Sequence, residues 1–177
     1  MAQAAQERLR HNEAAKQASI LDALPVSIAL LDPRGLITSV NQTWRQFARA
    51  NAIQESEYAV GVDYLKTCNR ALGEGTSHAH QAACGIRSVL SGAVSAFSME
   101  YPCHSLDRQR WLRVQVTPIG ERAVQGAVVV HENITARVLG ELQLQETSRQ
   151  LQEQTRLLEE RVEGGEEDLR EGGRLGQ

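Results

Sequence analysis

The stretch ALPVSIALLDPRGLITSVNQTW, residues 23–44, decides how this chain is read. Two runs rich in apolar residues, SIALLD (27–32) and LITSV (36–40), flank Pro33-Arg34-Gly35. A Pro-x-Gly turn between β-rich runs signals an antiparallel hairpin. Asn41 follows the second run, and QTWRQFARANA (42–52) then places Trp44, Phe47 and Ala48 at i, i+3 and i+4. That spacing makes one apolar face of a short helix.

Upstream, residues 1–24 are dominated by helix formers, with no Gly or Pro before Pro25. Leu9, Ile20, Leu21 and Leu24 are their strong apolar residues, so this segment predicts a mostly solvated flanking helix that acts as a connector. Downstream, Gly61, Gly73 and Gly75 punctuate a short helical piece around VDYLKTCNRAL (62–72). SHAHQAACGIRSVLSG (77–92) is a longer helix, with Ser77 as cap, Ala82, Ile86, Val89 and Leu90 along one side, and Gly92 at its end. Three strands follow: SAFSMEY (95–101), RWLRVQVTPI (110–119) and QGAVVVHEN (125–133). In the second, Trp111, Arg113 and Gln115 alternate with Leu112, Val114 and Val116, so one face meets a core and the other is wet.

From residue 135 to 163 the chain is polar and helical. Leu144, Leu151 and Leu158 recur every seven residues, with Ser148, Thr155 and Val162 four after each. That is the seam of a two-stranded coiled coil, weakened by polar residues at the a positions. Gly164-Gly165 ends the pattern, and the Gly- and Glu-rich residues 164–177 read as disordered. The fold class is thus α+β, with one domain over 25–134 between two flanking helices.

The 22 acidic and 19 basic residues leave a charge of −3, which offers no basic field for a phosphate backbone. Nucleic acid is therefore not an expected partner. No apolar run approaches the roughly 20 residues needed to cross a bilayer, and the N-terminus lacks the apolar centre of a signal peptide. A cytoplasmic location without a membrane span is expected. Cys68, Cys84 and Cys103 have neither disulfide nor zinc spacing and read as reduced, mostly buried thiols. No phosphate loop, zincin motif or nucleophile elbow appears, so the chain does not read as an enzyme.

Two strands, short helices, one longer helix, three strands and an exit helix is an element order that resembles the PAS sensor domain. Residues 23–44 resemble that family's opening hairpin, with its Asn leading into the first helix. VQGAVVVHENIT (124–135) resembles its last strand and terminal acidic-x-Thr motif, with Asn133 where many members have Asp. EYPCHSLDRQRWLRVQVTP (100–118) resembles a hairpin found in bacterial sensor kinases and cyclic-dinucleotide enzymes. The resemblance implies a five-stranded antiparallel sheet with short helices on one face. It also implies a signal-transduction module of two-component type that holds a small molecule or partner and dimerises through its flanking helices. A downstream signalling protein or domain would receive the output. After His131 there is no histidine to serve as a kinase phosphoacceptor, so any kinase or cyclase lies outside this chain.

Haem-binding members take an axial His from the long helix, which makes His78 and His80 the candidates here. Two residues apart, they face different ways, and at most one can point inward; both also read as surface or capping residues. A light-sensing flavin site needs Asn-Cys-Arg where this chain has CNR (68–70), which disfavours an adduct. A redox flavin could stack on Trp44 or Trp111, although such aromatics also fill cores. The pair Cys103-His104 lacks further ligands for a metal. No cofactor at all is the plainest expectation. Asn133 and Thr135 are the expected transmission residues, one of them capping the exit helix. In VVVHEN, Val128 and Val130 alternate with Val129 and His131, and His131 is expected at an interface or the surface.

Overall fold

The computed structural model describes residues 2–50, 59–70, 76–104, 109–120 and 123–174. In chain order the elements are α1 (Ala2–Asp22), β1 (Ser27–Leu31), β2 (Ile37–Val40), α2 (Gln42–Ala50) and α3 (Tyr64–Arg70). They continue with α4 (Thr76–Leu90), β3 (Phe97–Pro102), β4 (Trp111–Ile119), β5 (Gly126–Asn133) and α5 (Thr135–Arg174). All strand pairs are antiparallel, in the order β2-β1-β5-β4-β3. The last strand in sequence is thus the middle of the sheet, and its apolar run Ala127–Val130 suits that place.

The helices α2 and α4 pack on one face, against Ala29, Leu31, Val114, Val116 and Val129. On β4, Leu112, Val114 and Val116 are buried while Gln115 is exposed, as the alternation in the sequence requires. Two glycines set the close approaches. Gly35 has φ +85, and a Cβ there would lie 2.7 Å from Leu65 Cδ1, so the hairpin turn fixes how near α3 can come. A Cβ on Gly85 would fall 2.4 Å from the Phe97 ring, so α4 leans onto β3 at that point. Asp32 Oδ1 closes the turn by accepting from Arg34 and Leu36 N–H, both at 2.9 Å.

Residues 6–20 of α1 are all exposed, and the helix is tied down at its end. Asn41, 2 % exposed, makes the tie. Its Oδ1 accepts from Ile28 N–H (2.9 Å) and Trp44 N–H (3.0 Å), and its Nδ2 donates to Leu21 O (3.0 Å) and Val26 O (2.8 Å). One side chain therefore caps α2 and joins it to β1 and to the end of α1. Asp22 reinforces the junction by accepting from Gln42 N–H and the Arg45 guanidinium.

The chain divides into two compact units, residues 1–135 and 136–177. In the second, the side chains of Leu144, Leu151 and Leu158 are exposed, together with Leu139, Leu142 and Val162. Ion pairs one turn apart, such as Arg149–Glu146 and Arg156–Glu153, run along the exposed helix, where water screens them.

Several expectations are corrected. The exit helix continues through Gly164 and Gly165 to Arg174, not to 163, because helix formers on both sides outweigh about 1 kcal/mol per glycine. Ser77 lies inside α4, which begins at Thr76, and so cannot be its cap. Of the three thiols only Cys68 is buried; Cys84 is on the wet side of α4 and Cys103 is half-buried. The segments 51–58 and 71–75, with Gly73 and Gly75, and residues 105–108 and 121–122 of the two hairpin loops, lie outside the described residues.

Candidate functional site

Between the sheet and the N-terminal half of α4 lies a cavity of about 270 Å³, bounded also by α3 and the end of β3. Gly85 draws the rest of α4 onto Phe97, while small residues at Ala79 and Ala82 leave space nearer the helix start. Cavity and close contact are two ends of one tilted helix.

At the centre is His131. It stands on β5 opposite Val114 of β4, on the same inward face as the fully buried Val129. Its Nε2 is 2.9 Å from the Tyr64 hydroxyl and its Nδ1 is 3.0 Å from the Tyr101 hydroxyl. Tyr101 pairs with Leu112, so its ring reaches over β4 to the imidazole. Asp63 accepts from Lys66 N–H at 3.0 Å and caps α3, and Tyr64 N–H donates to Gly35 O at 3.0 Å, which sets the other phenol. Trp44 stands behind this row, edge-on to Tyr64 at 5.6 Å and to His131 at 5.5 Å, its buried Nε1 without a partner among the described residues. His131 is therefore an inward residue and not the surface or interface residue expected. The strand's inward phase is Val129 and His131, a choice that alternation alone leaves open.

Burial pushes the His131 imidazole down to about 4, so it is neutral at physiological pH. Burial likewise raises the Tyr64 and Tyr101 phenols well above their ordinary range. Cys68, one turn after Tyr64 and hydrogen-bonded to its hydroxyl, is pushed up to about 11 by burial and remains a thiol.

Of the haem candidates, His78 reaches the cavity and His80 does not. The His78 ring lies 6.0 Å from that of Tyr101, planes 26° apart, and its buried Nδ1 has no partner among the described residues. His80 is exposed and bonds Asn69 O at 3.0 Å. Neither Trp44 nor Trp111 lines the cavity; Trp111 faces outward on β4 with its ring 4.8 Å from that of His104. At about 270 Å³ the space is below the roughly 300–1,000 Å³ of pockets for drug-sized ligands, and haem and flavin are larger still. The residues present fit neither group. Among the described residues no group of three or more His, Cys, Asp or Glu is placed to hold a metal ion.

The junction with the exit helix is two residues from His131. Thr135 N–H donates to Asn133 Oδ1 (3.0 Å), so Asn133 serves the first turn of α5. The Thr135 hydroxyl does something else: its oxygen accepts from Trp111 N–H at 3.0 Å, while Ile134 N–H donates to Trp111 O at 3.0 Å. Thr135 is thus a clasp onto the start of β4, and of the two residues expected to cap the helix it is Asn133 that serves its first turn. A second recess of about 300 Å³, lined by Pro25, Phe47, Leu112 and Asn133 among others, also has His131 in its wall. Sequence reasoning missed Tyr64 and Tyr101, because neither phenol carries a motif and their meeting depends on the register of β3 and the placement of α3.

The comparisons agree with this fold. The family described as PAS fold matches residues 21–139, and the chain belongs to it. An uncharacterized 104.1 kDa protein in the hypE 3′ region of Rhodobacter capsulatus is 37 % identical over 121 residues. That match covers 66 % of this chain and 12 % of the relative, so the chain spans about an eighth of that protein's length. Among solved structures, the PAS domain of BvgS from Bordetella pertussis is similar at a TM-score of 0.51 and 13 % identity, covering 77 % of this chain and 98 % of that one. The phage VqmA–DPO complex is similar at 0.52 and 13 %, covering 78 % and 60 %. At such identities the likeness is one of fold. Among the described residues no helix is long and apolar enough to cross a membrane.

Proposed function

We propose that the chain is a non-catalytic sensory module of a cytoplasmic bacterial signal-transduction protein. It holds a small molecule in the cavity and passes the occupied state through β4 and β5 to α5, which pairs with a second copy and presents the output to a downstream domain or protein. The observation that carries this is the sharing of strands between cavity and junction. His131 precedes Asn133 by two residues on β5, and Tyr101 pairs with Leu112, the neighbour of the Trp111 that Thr135 clasps. A shift of the Tyr101–His131 contact moves the two strand ends on which α5 is seated. The exposed Leu144, Leu151 and Leu158 support pairing, since an apolar stripe on an otherwise polar helix is stabilised by covering it. Such a switch needs two states a few kcal/mol apart, which polar residues at Ser148 and Thr155 supply.

Amide hydrogen exchange tests the coupling directly, because Trp111, Ile134 and Thr135 N–H are all bonded within the junction. Filling the cavity with Ala79→Leu should change exchange at these amides by severalfold while leaving the β2 amides unchanged. Junction amides indifferent to the substitution would sink the proposal. Native mass spectrometry of the purified chain supplies the companion reading, a dimer with any retained small molecule.

A further inference from the structure

The recess of about 300 Å³ on the other side of His131 has polar groups that the fold leaves unused. Ser27, His131 and Asn133 share the inward face at this end of the sheet, with Ser27 opposite His131 and Leu112 opposite Asn133. Helix α2 borders them through Thr43, Gln46 and Phe47. Ser27 is 5 % exposed, and its hydroxyl has no hydrogen-bond partner among the described residues. A hydroxyl drawn out of water without a protein partner adds nothing to the fold and is free for a guest.

Asn133 supplies a second donor. Its Oδ1 accepts from Thr135 N–H at 3.0 Å, which fixes Nδ2 as the other end of the amide, and Nδ2 donates to no described residue. Diagonal neighbours across an antiparallel pair lie about 7–8 Å apart, so one acceptor placed between them meets both donors at about 2.9 Å. Thr43 has already given its hydrogen to Leu24 O, and both His131 nitrogens are engaged by the phenols, so neither competes for that acceptor. Beside the two donors, Pro25, Phe47 and Leu112 form an apolar wall.

We propose that this recess is a second binding site, separate from the cavity, for a small neutral aliphatic carbonyl compound such as a carboxamide or ester. Its carbonyl oxygen accepts from Ser27 Oγ–H and Asn133 Nδ2–H, and its alkyl part lies against Phe47 and Leu112. The site fills whether or not the cavity is occupied. Through Asn133 the guest is bonded to the residue that serves the first turn of α5.

The test titrates the full chain at pH 7.5 with isobutyramide, and with isobutylammonium as a probe of similar shape that carries no acceptor, and follows amide resonances by NMR. Saturable shifts at Ser27, Phe47, Asn133 and Thr135 are expected with isobutyramide, and Ala79→Leu, which fills the cavity, should leave them unchanged. Ser27→Ala should weaken isobutyramide about tenfold without lowering the urea midpoint, because the lost hydroxyl holds nothing in the fold. Asn133→Asp keeps the acceptor for Thr135 N–H, removes the Nδ2 donor, and should weaken the amide by a similar factor. An unchanged affinity in both variants, or isobutylammonium binding as tightly as isobutyramide, overturns the proposal, and so does a lowered urea midpoint in Ser27→Ala. Shifts centred on Ala79 and Tyr101 that Ala79→Leu abolishes overturn it while leaving the cavity a ligand site. Absence of any shift at tens of millimolar isobutyramide makes the recess a place for water alone and overturns it as well.

Discussion

The two flanking helices meet the sheet domain in opposite ways. At the end of α1, Asn41 is buried and all four of its hydrogen-bonding positions are filled by backbone groups of three segments. At the start of α5, Asn133 is exposed and Thr135 half-buried, and the clasp consists of three bonds around Trp111 and the first turn. The cost of disturbing the two junctions differs, since a buried polar group left unpaired costs more than one that water can reach. The first belongs to the core, and the second lies where water can reach it.

The largest way to break that contrast is Asn41→Leu, which strips partners from Ile28, Trp44, Leu21 and Val26 together. A loss of about 4 kcal/mol is expected, read as a lowered urea midpoint. His131→Leu comes next, at about 2–3 kcal/mol for two orphaned phenols. It also carries a pH signature. The native imidazole titrates near 4 and the unfolded one near 6.5, so the unfolded state binds the extra proton as pH falls between these values. This group's contribution is complete above about pH 6.5 and declines by about 3 kcal/mol on reaching pH 4. Urea titrations at pH 7 and pH 4 should show a smaller acid loss in His131→Leu than in the parent; equal losses would mean that the ring is not held neutral.

Ser148→Ile with Thr155→Ile should tighten self-association by at least tenfold, about 1.4 kcal/mol, in sedimentation equilibrium. Unchanged association would show that Leu144, Leu151 and Leu158 are not the seam. Thr135→Val removes the acceptor of Trp111 N–H and should cost about 1 kcal/mol, with faster exchange at that amide and restoration by Thr135→Ser. A cost as large as that of Asn41→Leu would erase the distinction between the junctions. His80→Ala should alter stability by less than about 0.5 kcal/mol, because the residue is exposed and outside the cavity.

Much of the fold was legible because its signals are local. The Pro-Arg-Gly turn, the alternation in β4 and the apolar spacing of α2 each depend on neighbours within a few residues. Asn41 could be read at its place before α2, although its bonds to Leu21 and Val26 could not. The two-residue offset of His78 and His80 correctly limited the inward-facing histidines to one. The errors share another origin. The phase of β5, which turns His131 inward, and the outward face that removes Trp111 from the cavity are settled by which side of the sheet the helices cover.

By itself, then, the sequence determined the elements, their order and the PAS fold they make, because turn chemistry and periodicity act over short distances. Only the tertiary structure decided that Tyr64, Tyr101 and His131, far apart in the chain, form one neutral hydrogen-bonded row. Strand register, the Gly35 turn and the tilt that Gly85 allows place them, and burial at that meeting point holds the ring uncharged.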